Sequence, residues 1–218
     1  MKREPIVTVS SAPSRSLVRA LVSLGLGVRV GPTPAPAPLA LADILAHARA
    51  GKVVLIVGPS GSGKSTLLRA VREGLGACTV PAPPRGRARV WDLARRHAGE
   101  ACAGPMLATV GLAEASLLAR RVSELSEGQR FRAGLLVALC AAAGPMGASG
   151  PIVAPGPIVA DEFGAVLDAP TARALAHTFA RACRRAGRGL VVATPRDDLM
   201  APLAPELAVN LEAISIWT

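Results

Sequence analysis

At 218 residues, 50% of them hydrophobic, the chain is long enough for one α/β domain with a substantial core and too short for two full domains. Aromatic residues make up 2% and tyrosine is absent, which argues against the base-stacking platforms of single-stranded nucleic-acid binders. The net charge of +10 rests almost wholly on scattered arginines, so solvated basic faces are favoured over a dedicated nucleic-acid surface, and no apolar run approaches the roughly twenty residues that span a bilayer.

The N-terminus opens Met1-Lys-Arg-Glu-Pro5, but Ser, Arg and Glu break up the apolar residues near it and no secretory apolar region forms, so a soluble cytoplasmic chain is expected. Residues 14–30 are expected to give a helix and a strand. Residues 31–38, Gly-Pro-Thr-Pro-Ala-Pro-Ala-Pro, read as a stiff extended linker, and residues 39–50 read by composition as a helix. The four cysteines, Cys78, Cys102, Cys140 and Cys183, have no C-x-x-C spacing and no neighbouring histidine cluster, which suggests buried small hydrophobes in a reducing compartment.

Val53-Val-Leu-Ile-Val57 reads as a buried strand and Leu67-Leu-Arg-Ala-Val71 as a helix. Between them Gly58, Pro59, Ser60, Gly61, Ser62, Gly63, Lys64, Ser65 and Thr66 satisfy every position of G-x-x-x-x-G-K-[ST], the phosphate-binding loop. Glycines at 58, 61 and 63 let backbone N–H groups approach phosphate oxygens that a side chain would block. Lys64 is the point charge for the β- and γ-phosphates, Ser65 offers its hydroxyl to Mg²⁺, and the helix N-terminus adds partial positive charge. A glycine-rich turn that binds nothing is the bland alternative, and the preceding strand argues against it.

Further along, Leu125-Ser-Glu-Gly-Gln-Arg130 opens an apolar helix over residues 131–143. Taken alone it is equally well a capping box, with Ser126 as cap and Gln129 as its reciprocal partner. Residues 144–156 form a Gly/Pro-rich insertion containing an echo, Gly-Pro-Ile-Val-Ala, whose second copy runs into Asp161 and Glu162. The strand is assigned to that second copy, and the first is read as loop. An acidic pair at a strand end downstream of a phosphate loop suits metal binding by the first acid and water activation by the second. Gly189-Leu-Val-Val-Ala-Thr194 reads as the last core strand, and residues 206–217 are expected to add a terminal strand.

With these motifs in order, the chain resembles the ATP-binding cassette (ABC) ATPases, and the ordered set is far more specific than any single motif. The resemblance implies a P-loop α/β fold with a mainly parallel sheet flanked by helices. It implies too that residues 39–218 are an ATP-binding domain behind an N-terminal extension over 1–38, and that two copies sandwich ATP and Mg²⁺. Residue by residue, Gly58 to Thr66 match Walker A, Leu125 to Gln129 the signature segment, Ile158 to Glu162 Walker B, and Asp168 the D-loop aspartate. Ser65 and Asp161 are then the Mg²⁺ ligands, Lys64 and Glu162 the catalytic groups, and Ser126, Gly128 and Gln129 with Asp168 the nucleotide contacts across the dimer. Ser123-Glu-Leu-Ser-Glu-Gly-Gln-Arg-Phe131 and Val159-Ala-Asp-Glu-Phe163 look closest to a compact soluble subgroup sometimes fused to a predicted acetyltransferase; here any such partner or other effector is a separate chain. Residues 80–119 form a helical segment shorter than the transporter-coupling subdomain. At residues 39–50 the resemblance implies strands, and it is preferred to the compositional reading.

Several positions depart from the family. Glu127 replaces the first signature glycine. Gln129 is the sole glutamine, which leaves the Q-loop without one; Asp92 is the best-placed substitute, or a helix cap. No aromatic precedes the phosphate loop to stack on adenine. Pro195 or Arg196 stands where the family has a switch histidine, and arginine could clamp a phosphate without relaying a proton. The expectation is a soluble, slowly hydrolysing ABC-type ATPase. The alternative is a nucleotide-binding regulatory or scaffold subunit with negligible hydrolysis. A kinase of the guanylate-kinase type shares the phosphate loop but leaves the later motifs unexplained.

Overall fold

The computed structural model describes residues 6–9, 27–30, 38–141, 156–211 and 215–217. They fall into two units, Met1–Pro38 and Leu39–Thr218. In the first, strands β1 (Ile6–Val9) and β2 (Gly27–Val30) pair in parallel with Ile6 opposite Gly27. The rest of the helix and strand expected over 14–30, the linker over 31–37, and the first Gly-Pro-Ile-Val-Ala copy lie outside the described residues.

The second unit is built on a five-stranded sheet of order β4-β5-β3-β6-β7. Its strands are β3 (Val53–Val57), β4 (Ile158–Ala160), β5 (Leu190–Thr194), β6 (Leu207–Asn210) and β7 (Ser215–Trp217), the first four parallel and β7 antiparallel to β6. The mainly parallel P-loop fold expected from the sequence is therefore the one observed. All five residues of β5 and four of the five in β3 are buried, as strands covered on both faces must be.

Strand periodicity divides the core into two layers. Val53, Leu55, Leu190, Val192, Ile158 and Ala160 face one way, onto α3 (Val90–Ala98), α4 (Glu100–Thr109), α5 (Ala115–Leu118), α6 (Glu127–Cys140) and α7 (Ala169–Arg185). Val54, Ile56, Val191 and Ala193 face the other way, onto α1 (Pro38–Arg49) and α2 (Lys64–Leu75). The short helix α8 (Met200–Leu203) leads into β6.

Helix α1 corrects the preference for strands at residues 39–50. The segment is rich in Ala and Leu, the strongest helix formers, and it buries Ile44 and Ala48, one turn apart, against Val54 and Ile56. Composition was the better guide there. The cysteine expectation holds for Cys140 and Cys183, which are buried, while Cys78 and Cys102 are only partly so. Burial pushes the Cys140 thiol up to about 11 and the Cys183 thiol up to about 12. Among the described residues no helix is long and apolar enough to cross a membrane.

Candidate functional site

The residues between β3 and α2 make the phosphate loop, and their backbone explains the glycines. Gly61 and Gly63 sit at φ 81° and 92°, where an L side chain is strained. A Cβ on Gly58 would come within 2.6 Å of Ser62 Oγ. Gly63 is the N-cap of α2 and offers no side-chain acceptor, so the first N–H groups of that helix keep their capacity for an anion. Ser62 Oγ is buried with no hydrogen-bond partner. Pro59, Ser60, Ser65 and Thr66 are exposed around this hollow.

Lys64 is buried at 8% exposure, a costly place for an ammonium unless its donors are engaged. Its Nζ donates to the carbonyls of Gly58 and Pro59, both at 2.6 Å, so the charge is held within the loop. Ser65 Oγ, at the first turn of α2, donates to Asp161 Oδ2 at 2.8 Å across 96 residues of sequence. Asp161 follows directly on β4, and its Oδ1 accepts the Glu162 N–H at 2.9 Å. The structure thus brings the Ser65 hydroxyl together with Asp161 and Glu162 at the ends of β3 and β4.

Those oxygens fit Mg²⁺, which takes hard ligands and is commonly held by one or two carboxylates plus substrate phosphates. The orphaned Ser62 hydroxyl and the open space beside Gly61 and Gly63, where a Cβ would meet no atom within 4 Å, fit a phosphate group in the same way. No gathering of three His, Cys, Asp or Glu side chains suited to a metal occurs among the described residues.

Glu162 is exposed and adopts φ 48°, rare for a residue with a side chain. The next residue anchors it. Phe163 is fully buried, donates its N–H to the Ala193 carbonyl at 3.0 Å, and packs edge-on against Phe131 with ring centroids 5.7 Å apart. The turn ends at Asp168, the N-cap of α7, whose carboxylate accepts the Thr171 N–H at 2.9 Å. That bond from the Thr171 main chain holds the Asp168 carboxyl below the usual carboxylate range.

Residues 125–129 lead into α6. Ser126 caps α6: its Oγ accepts the Gln129 N–H at 3.3 Å, and its own N–H donates to Gln129 Oε1 at 3.0 Å. The capping box is real, and among the described residues no hydrogen bond ties Ser126, Gly128 or Gln129 to the phosphate loop. Gly128 instead abuts the D-loop, since a Cβ there would meet Leu167 Cδ2 at 2.8 Å. Glu127 is exposed in the first turn of α6, where its charge suits the helix dipole.

Two readings need correction. Asp92 is not a cap, because Arg89 holds that position of α3; Asp92 stands inside the first turn beside Arg95 and Arg96. Arg196 is not a free phosphate clamp, since its guanidinium donates to Asp198 and to the carbonyls of Gly164 and Leu167. Sequence reasoning also missed Arg188, which is 2% exposed and donates to the carbonyls of Ala138, Leu139 and Gly156 and to Thr79 Oγ1. His47, His97 and His177 lie on helices α1, α3 and α7.

A family model described as ABC transporter matches residues 41–77, from α1 through the phosphate loop to the end of α2. No curated protein matches the chain. Among solved structures, the RNase-L inhibitor is similar over 74% of this chain at 19% identity and a TM-score of 0.55, and this chain spans only 32% of its length. CbiO1 from Clostridium perfringens, part of an ABC transporter complex, is similar at 18% identity and TM-score 0.51, covering 74% of this chain and 73% of its own. An ATP-binding cassette protein solved as a dimer in a post-hydrolysis state with ADP and Pi is similar at 19% identity and TM-score 0.50, covering 74% and 81%. At such identities the likeness establishes the fold, that of P-loop ABC ATPase domains.

Proposed function

We propose that residues 39–218 form an ABC-type ATPase that binds Mg·ATP at the phosphate loop, closes with a second copy around it, and hydrolyses it slowly to ADP and phosphate. The observation that carries this reading is the 2.8 Å bond between Ser65 Oγ and Asp161 Oδ2, which sets a hydroxyl and a carboxylate, hard oxygen donors of the kind Mg²⁺ takes, together at the start of α2. Ser65 and Asp161 would hold Mg²⁺. When bound, the ion neutralises charge on the β- and γ-phosphate oxygens. Lys64 leaves the carbonyls of Gly58 and Pro59 for phosphate oxygens, a stronger charge-assisted partner. Glu162 orients the attacking water and accepts its proton. Ser126, Gly128, Gln129 and Asp168 complete the site from the second copy.

A second reading, nucleotide binding without turnover, is favoured by one observation: the Arg196 guanidinium is tied to Asp198 and to two carbonyls within the chain, and Pro195 has no donor. Thermal unfolding and single-turnover hydrolysis separate the two. Mg·ATP at a thousand times its Kd is expected to stabilise the fold by about 4 kcal/mol, and Lys64→Ala to remove most of that shift. An unchanged melting curve in millimolar Mg·ATP sinks both readings. A shift without any conversion of bound ATP selects the second.

A further inference from the structure

Beyond the end of β5, the side chain of Arg196 reaches back across the sheet edge to the turn that carries both Glu162 and Asp168. Its Nε and Nη2 donate to the two carboxylate oxygens of Asp198 at 3.0 and 2.9 Å, which fixes the plane of the guanidinium. In that plane Nη1 donates to the Leu167 carbonyl at 3.0 Å and the Gly164 carbonyl at 3.3 Å. Arg173 of α7 holds Asp198 from its other side at 3.0 Å. The main chain adds to the same junction: the Arg196 N–H donates to Thr194 Oγ1 at 3.2 Å, and that hydroxyl donates to the Phe163 carbonyl at 3.1 Å. Hydrogen bonding from Arg196 lowers the Asp198 carboxyl to about 2, so the pair stays charged at every working pH.

The turn has reason to be held. Glu162 at φ 48° and Gly164 at φ 73° are left-handed two residues apart, and a side-chain-bearing residue keeps such a conformation only where its surroundings over-determine it. The turn's own bonds, Ala165 N–H to the Glu162 carbonyl at 3.0 Å and Leu167 N–H to the Gly164 carbonyl at 3.1 Å, are local and exposed to fraying. We infer that Arg196 is a positioning residue that tethers the 162–168 turn, so that Glu162 at one end faces the nucleotide and Asp168 at the other faces the second copy. The inference rests on the ATPase reading above. The planar fork grips the carboxylate with two nitrogens and turns a third toward the carbonyls, whereas the three donors of a lysine ammonium share one nitrogen and lose the bidentate grip on Asp198.

The test compares Arg196→Gln and Arg196→Lys with Arg173→Gln, which loosens Asp198 but touches no carbonyl of the turn. In the nucleotide-free protein, amide exchange at Ala165 and Leu167 is expected to quicken by about tenfold or more in both Arg196 variants and to stay near the unmodified rate in Arg173→Gln. Single-turnover hydrolysis is expected to fall by about tenfold to a hundredfold while the Mg·ATP Kd changes less than about threefold, the split that marks a transition-state effect. Millimolar guanidinium is expected to restore part of the rate to Arg196→Gly. Unchanged exchange in both Arg196 variants overturns the tether, as does faster exchange with undiminished hydrolysis. Should the unmodified protein bind ATP without hydrolysing it, the ATPase reading falls, and the exchange rates still decide whether the tether exists.

Discussion

A guanidinium with 2% of its surface exposed needs a physical reason to be inside, and Arg188 has one. Ala138 and Leu139 present carbonyls from the last turn of α6, the negative end of the helix dipole, and Nη1 donates to both at 2.6 and 3.1 Å. Nη2 donates to Thr79 Oγ1 and the Gly156 carbonyl, both at 3.0 Å, so one side chain ties α6 to the two segments that flank β4. Burial holds the Arg188 pKa below its ordinary value. Arg188→Leu keeps much of the apolar stem but strands those acceptors. Because a buried group left unpaired costs about 1–3 kcal/mol, a loss of roughly 3 kcal/mol in urea unfolding is expected. A loss below about 0.5 kcal/mol, the range of an ordinary surface substitution, shows instead that water replaces the bonds. No sequence motif pointed to Arg188, since its partners lie 50, 49, 109 and 32 residues away. Gly58 to Thr66 were legible for the opposite reason: a phosphate loop is a motif of consecutive residues, so its pattern is written in adjacent letters.

At the scale of elements, what could be read depended on whether burial is recorded locally. Strands β3 and β5 are apolar throughout because both faces are covered, and they stand out in the chain without knowledge of their neighbours. Helix α1 was obscured by the family likeness, although its own residues favour it. The engagement of Arg196 was not legible, because an arginine after a strand gives no sign of the carbonyls it will reach. Two glycines show how packing decides what a local change does. Gly189, the residue before β5, is buried so close to α1 that a Cβ would run into the Ala48 carbonyl, and its own carbonyl accepts the Ile158 N–H at 2.8 Å. Gly74, inside α2, would set a Cβ 2.8 Å from Leu45 Cδ1, the far end of a flexible side chain. Gly189→Ala is therefore expected to cost more than about 2 kcal/mol, since backbone must move to relieve an overpacked core. Gly74→Ala is expected to fall within about 1 kcal/mol of neutral, because gained helix propensity offsets the shift of Leu45. Equal melting temperatures for the two variants would show that α1 is not seated against β5 as described.

For the whole molecule, the decisive question is why the phosphate loop and the signature segment, both present, are joined by no hydrogen bond among the described residues. Because β3 and β4 both run parallel to β5, the phosphate-loop residues and Asp161 with Glu162 leave the same end of the sheet, whereas Ser126 opens α6 and is engaged with Gln129. Among the described residues nothing gives Gly128, exposed Glu127 or the D-loop an outward partner, and Val166 on that loop stays 44% exposed despite its apolar side chain. On the proposed reading, a second copy turned to face the first would give these groups a nucleotide to hold. Closure of two chains that each carry a net charge of +10 is opposed by their mutual repulsion, so the dimer is expected only with the anionic nucleotide between them. Glu162→Gln is expected to preserve the shape of the turn and the phosphate loop while removing the carboxylate proposed to accept the water proton. This variant is expected to sediment as a dimer in Mg·ATP and as a monomer without nucleotide, whereas the unmodified protein dimerises only until its ATP is consumed. Adding Lys64→Ala to Glu162→Gln is expected to abolish the dimer, which ties assembly to the phosphate loop rather than to a chance apolar contact through Val166. If both single proteins remain monomers at saturating Mg·ATP, the bonds between Ser126 and Gln129 are a helix cap and nothing more, and the sandwich is wrong.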